Sequence, residues 1–367
     1  MSDAVRTFLA AVSLAASLWL TPVAVAATAL PAVASQAVRA TAANYWGDGV
    51  WEAYKAHFLA ADGRIVDDGN MGISHSEGQG YGMLLATFAS DRAAFEKIWA
   101  FASRQLYVRK DGLASWKWVP DAAPHVPDPN NATDGDLLIA WALVEAGTRW
   151  NDSTFTQSGR QIALAIGRNA VGSSSFGPIL RPGAEGFGVL DSDDGPVINL
   201  SYWVFPAFEA LRKVVPEVNW LEFRASGLAL LNASRTGPAQ LPPDWTSLRQ
   251  IKPQPAQKFP PVFGYNAIRI PLYLAWAGLV DGGRLAAFAA SWHDPASAPS
   301  LIDLPSGKPA EPFGGQGYAA IAALTQCAVS GQPFPPGLRD VKPDKYYPTT
   351  LQMLSLVIAY QRFSKCL

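Results

Sequence analysis

Apolar stretches of helical length recur along most of the chain, and they alternate between segments that are apolar all round and segments with one charged face. Leu137-Leu138-Ile139-Ala140-Trp141-Ala142-Leu143-Val144 is of the first kind, whereas Arg92–Gln105 carries Arg92, Glu96, Lys97 and Arg104 among its apolar residues. A helix that is apolar on every side demands full burial; a helix with a wet face can cover it. The alternation predicts an all-α fold of inner and outer helices, packed as successive hairpins into a closed ring. Helices are expected near Asp48–Ala60, Glu77–Ser90, Arg92–Gln105, Asp134–Trp150, Ser153–Asn169, Ser201–Val214, Trp220–Ser234, Asn266–Gly278, Gly283–Trp292, Gly315–Val329 and Tyr347–Phe363. Gly, Pro and Asp clusters separate them, and no alternating strand pattern stands out. No repeat of fixed period is visible, so any symmetry of the ring would lie in the structure alone.

A chain of 367 residues that is 49% hydrophobic can bury a large core, and no linker divides it. With 29 basic against 30 acidic residues it lacks the basic excess of a nucleic-acid-binding protein. The N-terminus has an early Arg6, an apolar run from Phe8 to Leu20 and small residues ending Ala24-Val25-Ala26. That pattern resembles a signal peptide over residues 1–26 and predicts a periplasmic or secreted protein, with no membrane span after cleavage. A low-complexity Ala/Val segment over 27–43 then leads into one catalytic domain, 44–367. Export would permit Cys327 and Cys366 to form a disulfide, and two buried free thiols are the alternative.

Polar, glycine-rich clusters sit just before the apolar helices: Ser74–Gly82, Ala132–Asp136, Asn199–Tyr202 and Gly264–Asn266. If the inner helices run the same way, these clusters meet on one rim and bring carboxylates and aromatics together, the composition of a sugar cleft. Glycosidic cleavage needs a carboxylic acid to protonate the leaving oxygen, and inversion needs a second group to activate water. Glu77 suits the acid, with Gly78, Gly80 and Gly82 permitting close approach. The plainer reading makes Glu77 part of a helix start capped by Ser74 or Ser76. Asp134 and Asp136 have the same ambiguity, since Thr133 or Asp134 makes a good N-cap and aspartates favour a first turn. No ligand cluster suggests a metal, because His57, His75, His125 and His293 are scattered. Trp116, Trp118, Tyr81, Tyr202, Trp203 and Tyr265 offer faces on which sugar rings stack, some of them being ordinary core.

Ala132-Thr133-Asp134-Gly135-Asp136-Leu137-Leu138-Ile139-Ala140-Trp141, continuing to Trp150, resembles the diagnostic segment of glycoside hydrolase family 8. Ser76-Glu77-Gly78-Gln79-Gly80-Tyr81-Gly82 is similar to the family's general-acid motif, and Tyr265-Asn266-Ala267-Ile268-Arg269 to its third motif, Tyr-Asp-Ala-x-Arg. Within the family the resemblance is greatest to periplasmic endoglucanases associated with bacterial cellulose synthesis, which share a Val-x-Asp like Ile65-Val66-Asp67 and a Trp-x-Trp like Trp116-Lys117-Trp118. The resemblance implies an (α/α)6 barrel, inversion, no cofactor, a β-1,4-glucan substrate and a link to the cellulose-synthesis machinery. It makes Glu77 the proton donor and Asp134 a carboxylate that stabilises the oxocarbenium-like transition state. Tyr81, Trp118, Asp136, Tyr202, Tyr265 and Arg269 become substrate-binding candidates.

One departure stands out. Asn266 occupies the position of the general base, and an amide does not accept a proton at neutral pH. Asp191, Asp193, Asp194, Asp303 and Glu311 are candidate replacements. Activity on chitosan, xylan or mixed-linkage glucan remains an alternative, as does a glucan-binding protein that has lost its base. Chitosan would call for a strongly acidic cleft, which the near-neutral charge balance disfavours.

Overall fold

The computed structural model describes residues 42–191, 193–292 and 299–367. The expected signal peptide lies outside the described residues, as does the low-complexity segment up to residue 41. The described residues form twelve α-helices: α1 (Ala42–Trp46), α2 (Val50–Phe58), α3 (Ser76–Ala89), α4 (Arg92–Gln105), α5 (Thr133–Trp150), α6 (Ser153–Asn169), α7 (Phe205–Val214), α8 (Trp220–Ala233), α9 (Arg269–Trp276), α10 (Ala286–Ser291), α11 (Gln316–Ser330) and α12 (Tyr346–Arg362). None of them is long and apolar enough to cross a membrane.

Burial follows the patterning of the sequence. α5 is buried from Thr133 through Val144, and α12 almost throughout from Tyr346 to Ala359. α4 buries one stripe, Ala94, Phe95, Ile98, Phe101 and Ala102, and turns its charges outward. α3 packs on α4 and α5, α5 on α6 and α7, α7 on α8 and α9, α9 on α11 and α12, and α12 returns to α3. The contact between α3 and α5 is close enough that a Cβ on Gly80 would lie 2.5 Å from the Leu138 Cβ. The starts of α3, α5, α9, α11 and α12 gather at one end, where they meet residues of the expected rim.

Two helices begin later than their apolar pattern does. Leu200–Tyr202 forms a single 3-10 turn before α7 starts at Phe205 with Pro206 in its first turn. α9 starts at Arg269 because Pro271, which has no N–H to give, is tolerated only near a helix start. The expectation of a nearly all-helical domain passed over several short antiparallel sheets. Val171–Ser174 and Gly177–Leu180 form a hairpin, and Ser74–His75 pairs with Lys117–Trp118 just before α3. Three-stranded sheets join Val262–Phe263 to Ser300–Asp303 and Lys308–Pro312, and Val197–Ile198 to Thr246–Ser247 and Gln254–Pro255. Strands this short leave no legible alternation.

Cys327 on α11 and Cys366 just beyond α12 are disulfide-bonded, so the alternative of two free thiols does not hold. The bond closes a loop with a sequence separation of 39 residues. Chain-entropy reasoning for such a loop predicts that replacing both cysteines by Ala costs about 4 kcal/mol. Urea unfolding of the two proteins measures it, with the same loss expected for wild type under reducing conditions.

Candidate active site

A single cation organises the rim. Arg269, the first residue of α9, is buried and donates from Nη1 to Glu77 Oε1 at 2.8 Å and to Asp134 Oδ2 at 2.7 Å. Its Nη2 donates to Ser201 Oγ at 2.9 Å and to Asn266 Oδ1 at 3.1 Å, and the guanidinium lies 5.7 Å from the centre of the Tyr202 ring. Three motifs far apart in sequence therefore meet at one guanidinium.

The helix starts explain how they meet. α3 is capped by His75, whose Nδ1 accepts the Gly78 N–H at 2.9 Å, so neither Ser74 nor Ser76 is the cap. Ser74 instead donates to the Ile65 carbonyl. Glu77, in the first turn, spends an oxygen on Arg269 and not on a helix N–H. α5 has no side-chain cap, and Thr133 donates to the Arg181 carbonyl. Asp134 serves two ends, since its Oδ1 accepts the Gly135 N–H while Oδ2 faces Arg269. Between them, Gly135 sits so tightly on α3 that an added Cβ would come 2.1 Å from Ser76 Oγ and 2.8 Å from the Glu77 nitrogen. Only a glycine lets the Asp134 backbone approach the Glu77 backbone this closely.

Above this floor lies a cavity of about 690 Å³ lined by Asp67, His75, Ser76, Glu77, Trp116, Asp134, Tyr202, Tyr265, Asn266, Arg269, Tyr318, Lys345 and Tyr347, among others. Of the expected site residues, Glu77, Asp134, Asn266, Tyr202, Tyr265 and Arg269 come together here. Tyr81, Trp118 and Asp136 do not. Tyr81 is fully buried between α3 and α9 with its hydroxyl on that of Tyr273, which leaves no face for a sugar. Trp118 is packed on Phe101 and stacked on His125, and its neighbour Trp116 faces the cavity in its place. Trp203 is core, donating to the Phe223 carbonyl. Asp136 is buried and accepts the Ala114 N–H at 2.8 Å and the Asn131 amide at 2.9 Å, which ties the loop before α5 to the loop at Ala114. Tyr318 and Tyr347 were missed as cleft residues, although each sits at the start of an apolar helix, the position already singled out for Glu77 and Asp134.

None of the five acids expected to replace the base lines the cavity. Asp191 accepts from Gly188, buried Asp194 from the Gln257 N–H, and Asp303 from Ser306 within a turn. Asp193 and Glu311 are exposed at the surface and outside the lining. Asn266 Oδ1 also accepts from Asn199 at 3.0 Å, and the Asn266 backbone N–H donates to the buried Asp244.

The electrostatics follow from one guanidinium facing two carboxylates. Burial would lower the Arg269 pKa, but Glu77 and Asp134 outweigh it and hold the pKa well above its ordinary value, so Arg269 stays charged. Asp134 is pushed up to about 6, burial outweighing its ion pair with Arg269 and the nearby Glu77 adding to the rise. For His75 burial acts downward and Asp67, Glu77 and Asp134 prevail upward. Asp136, with no cation in contact, is pushed up to about 7 by burial.

The description Glycosyl hydrolases family 8 matches residues 21–361 of the chain. A "Probable endoglucanase" of Novacetimonas hansenii is 38% identical over 312 residues, covering 83% of this chain and 88% of that protein. The structure of the endo-β-1,4-glucanase CMCax from Acetobacter xylinum superposes with a TM-score of 0.77 at 36% identity, over 86% of this chain and 97% of that one. A family 8 endo-β-1,4-glucanase from an Achatina fulica gut metagenomic library gives 0.77 at 35% identity, over 86% and 99%.

Asp136 makes a pH prediction. Its folded pKa lies above the unfolded value, so its contribution to stability is complete below about pH 4 and is lost as pH rises through about 7. Asp136→Asn does not ionise. The stability of wild type relative to Asp136→Asn should therefore fall between about pH 4 and about pH 7 and level off above that, as read from paired urea midpoints.

Proposed function

The chain belongs to glycosyl hydrolases family 8 and is a glycoside hydrolase, and from that premise we propose that it is an endo-1,4-β-glucanase that cleaves cellulose or its soluble derivatives with inversion. The observation that carries this reading is the pair Glu77 and Asp134, held by one buried Arg269 at the floor of an open, aromatic-lined cleft. The relatives named endoglucanase support an internal cut in a β-1,4-glucan. On this reading the ring of packed helices is an (α/α)6 barrel, with the cleft at the helix starts.

Glu77 is the general acid. Only its Oε1 is tied to Arg269, and Oε2 has no hydrogen-bond partner among the described residues, so it can carry the proton that goes to the leaving oxygen. Burial raises the Asp134 pKa to about 6 even beside Arg269, which still leaves Asp134 ionised at neutral pH. Asp134, held ionised by Arg269 and the Gly135 N–H, faces the positive charge that develops on the ring. Trp116, Tyr202, Tyr265, Tyr318 and Tyr347 supply ring faces and hydroxyls for successive glucose units. The lining has Asp67, Glu77 and Asp134 against Arg269 and Lys345, close to balance, which suits an uncharged glucan better than glucosamine cations. The disulfide suits an oxidising compartment, in keeping with export to the periplasm or medium and a role beside cellulose synthesis.

Glu77→Gln should leave the fold intact and lower turnover on carboxymethylcellulose by about 10²–10⁴. Retention of activity within about threefold would remove Glu77 as the acid. NMR of the first product should show the α-anomer; a β-anomer appearing first would mean retention. No hydrolysis of any glucan by wild type would favour a binding protein instead.

A further inference from the structure

Inversion requires a group that takes a proton from the attacking water, and Asn266 cannot be that group. The question rests on the reading above, that this cleft hydrolyses a glucan by inversion. The carboxylates near the site differ in whether water in the cleft can reach them. Asp244, behind Asn266, is buried, does not line the cavity, and accepts from the Gly264 and Ala267 N–H groups at 2.8 Å and from the Asn266 N–H at 3.4 Å. Asp134 also accepts one bond on each oxygen, but it is only 1% exposed and its Oδ2 is held by the Arg269 guanidinium. Asp136 is sealed under Ala114 and Asn131.

Asp67 is different. It lines the cleft with Glu77 and Asp134, and its side chain keeps 13% exposure. Its Oδ1 accepts one bond, from the Gly69 N–H at 3.1 Å, and its Oδ2 accepts one, from His75 Nε2 at 3.3 Å. Each oxygen therefore retains a lone pair toward the cavity. Because His75 Nδ1 accepts the Gly78 N–H, the ring is the neutral tautomer with its hydrogen on Nε2, directed at Asp67. His75 thus joins the cap of the helix that carries Glu77 to the orientation of Asp67.

We propose that Asp67 is the catalytic base of this chain, oriented by His75. In the step, a water oxygen bonds to the anomeric carbon as its proton passes to Asp67. The bond from that carbon to the leaving oxygen breaks, and the leaving oxygen takes the proton of Glu77. Asp67 ends protonated and Glu77 ionised, and exchange with solvent restores both.

The test is a comparison of Asp67→Asn, Asp67→Glu and Glu77→Gln on carboxymethylcellulose and on an aryl β-cellobioside with an acidic phenol. Asp67→Asn should lose about 10²–10⁴ in kcat on both substrates, with KM within about threefold. Glu77→Gln should recover on the aryl substrate, which needs no acid but still needs a base. Asp67→Glu, which keeps a carboxylate, should retain more turnover than Asp67→Asn, and this identifies the proton acceptor and not the fold. Azide added to Asp67→Ala should restore turnover and yield the α-glycosyl azide, since the anion needs no deprotonation. A raised KM at unchanged kcat, or an Asp67→Asn protein as fast as wild type, overturns the assignment while leaving the glucanase reading in place. A wild type inert on every glucan overturns both.

Discussion

Arg269 is a buried cation bonded to residues from three regions of the chain, and the geometry of the site depends on it. A charge in that position is costly unless it is paired and its hydrogens are satisfied. Glu77 at the start of α3, Asp134 at the start of α5, Ser201 before α7 and the neighbouring Asn266 meet those demands. The requirement runs both ways. Asp134 is almost inaccessible to water, so it stays anionic near neutral pH only because Arg269 and the Gly135 N–H are there. Removing Arg269 would leave Asp134 an unpaired charge in the interior, a change that costs about 3–5 kcal/mol.

For those groups to meet, the helix starts must approach more closely than side chains ordinarily allow. Gly135 places the backbone of α5 against Ser76 and Glu77, and Gly80 one turn further along lets α3 settle on Leu138. The glycines of the two motifs are therefore packing residues as much as places for a substrate to approach. Glycine is unfavourable inside a helix by about 1 kcal/mol relative to Ala. The buried ion pairs and the apolar contact between α3 and α5 offset that cost here.

How much of this could be read from the sequence depended on whether the signal was local. Periodicity located the helices because each must hide a face, and the rim followed from polar clusters preceding apolar runs. The same rule extended to Gly315–Tyr318 and Tyr346–Tyr347 would have found Tyr318 and Tyr347. Motif membership could not separate Trp116 from Trp118, because two indoles two residues apart go to different environments: one faces the cleft, the other stacks on His125. Nor could it tell Tyr81 from a cleft tyrosine, since its partner Tyr273 lies far away in sequence. The ties that remove Asp194 and Asp303 from the cleft are backbone contacts formed only after folding.

The amide at 266 is the natural occupant of its own surroundings. Asn199 and Arg269 present donors to its side-chain oxygen, and the buried carboxylate of Asp244 accepts its backbone N–H. An aspartate there would set a carboxylate against Asp244, which burial already drives toward the protonated form, and would add a third negative charge around Arg269. The amide avoids both conflicts and keeps the guanidinium aimed at Glu77 and Asp134. A water-activating carboxylate is then best placed away from this knot of charge, on a wall of the cleft where its own partners are a backbone N–H and a neutral imidazole, as they are for Asp67.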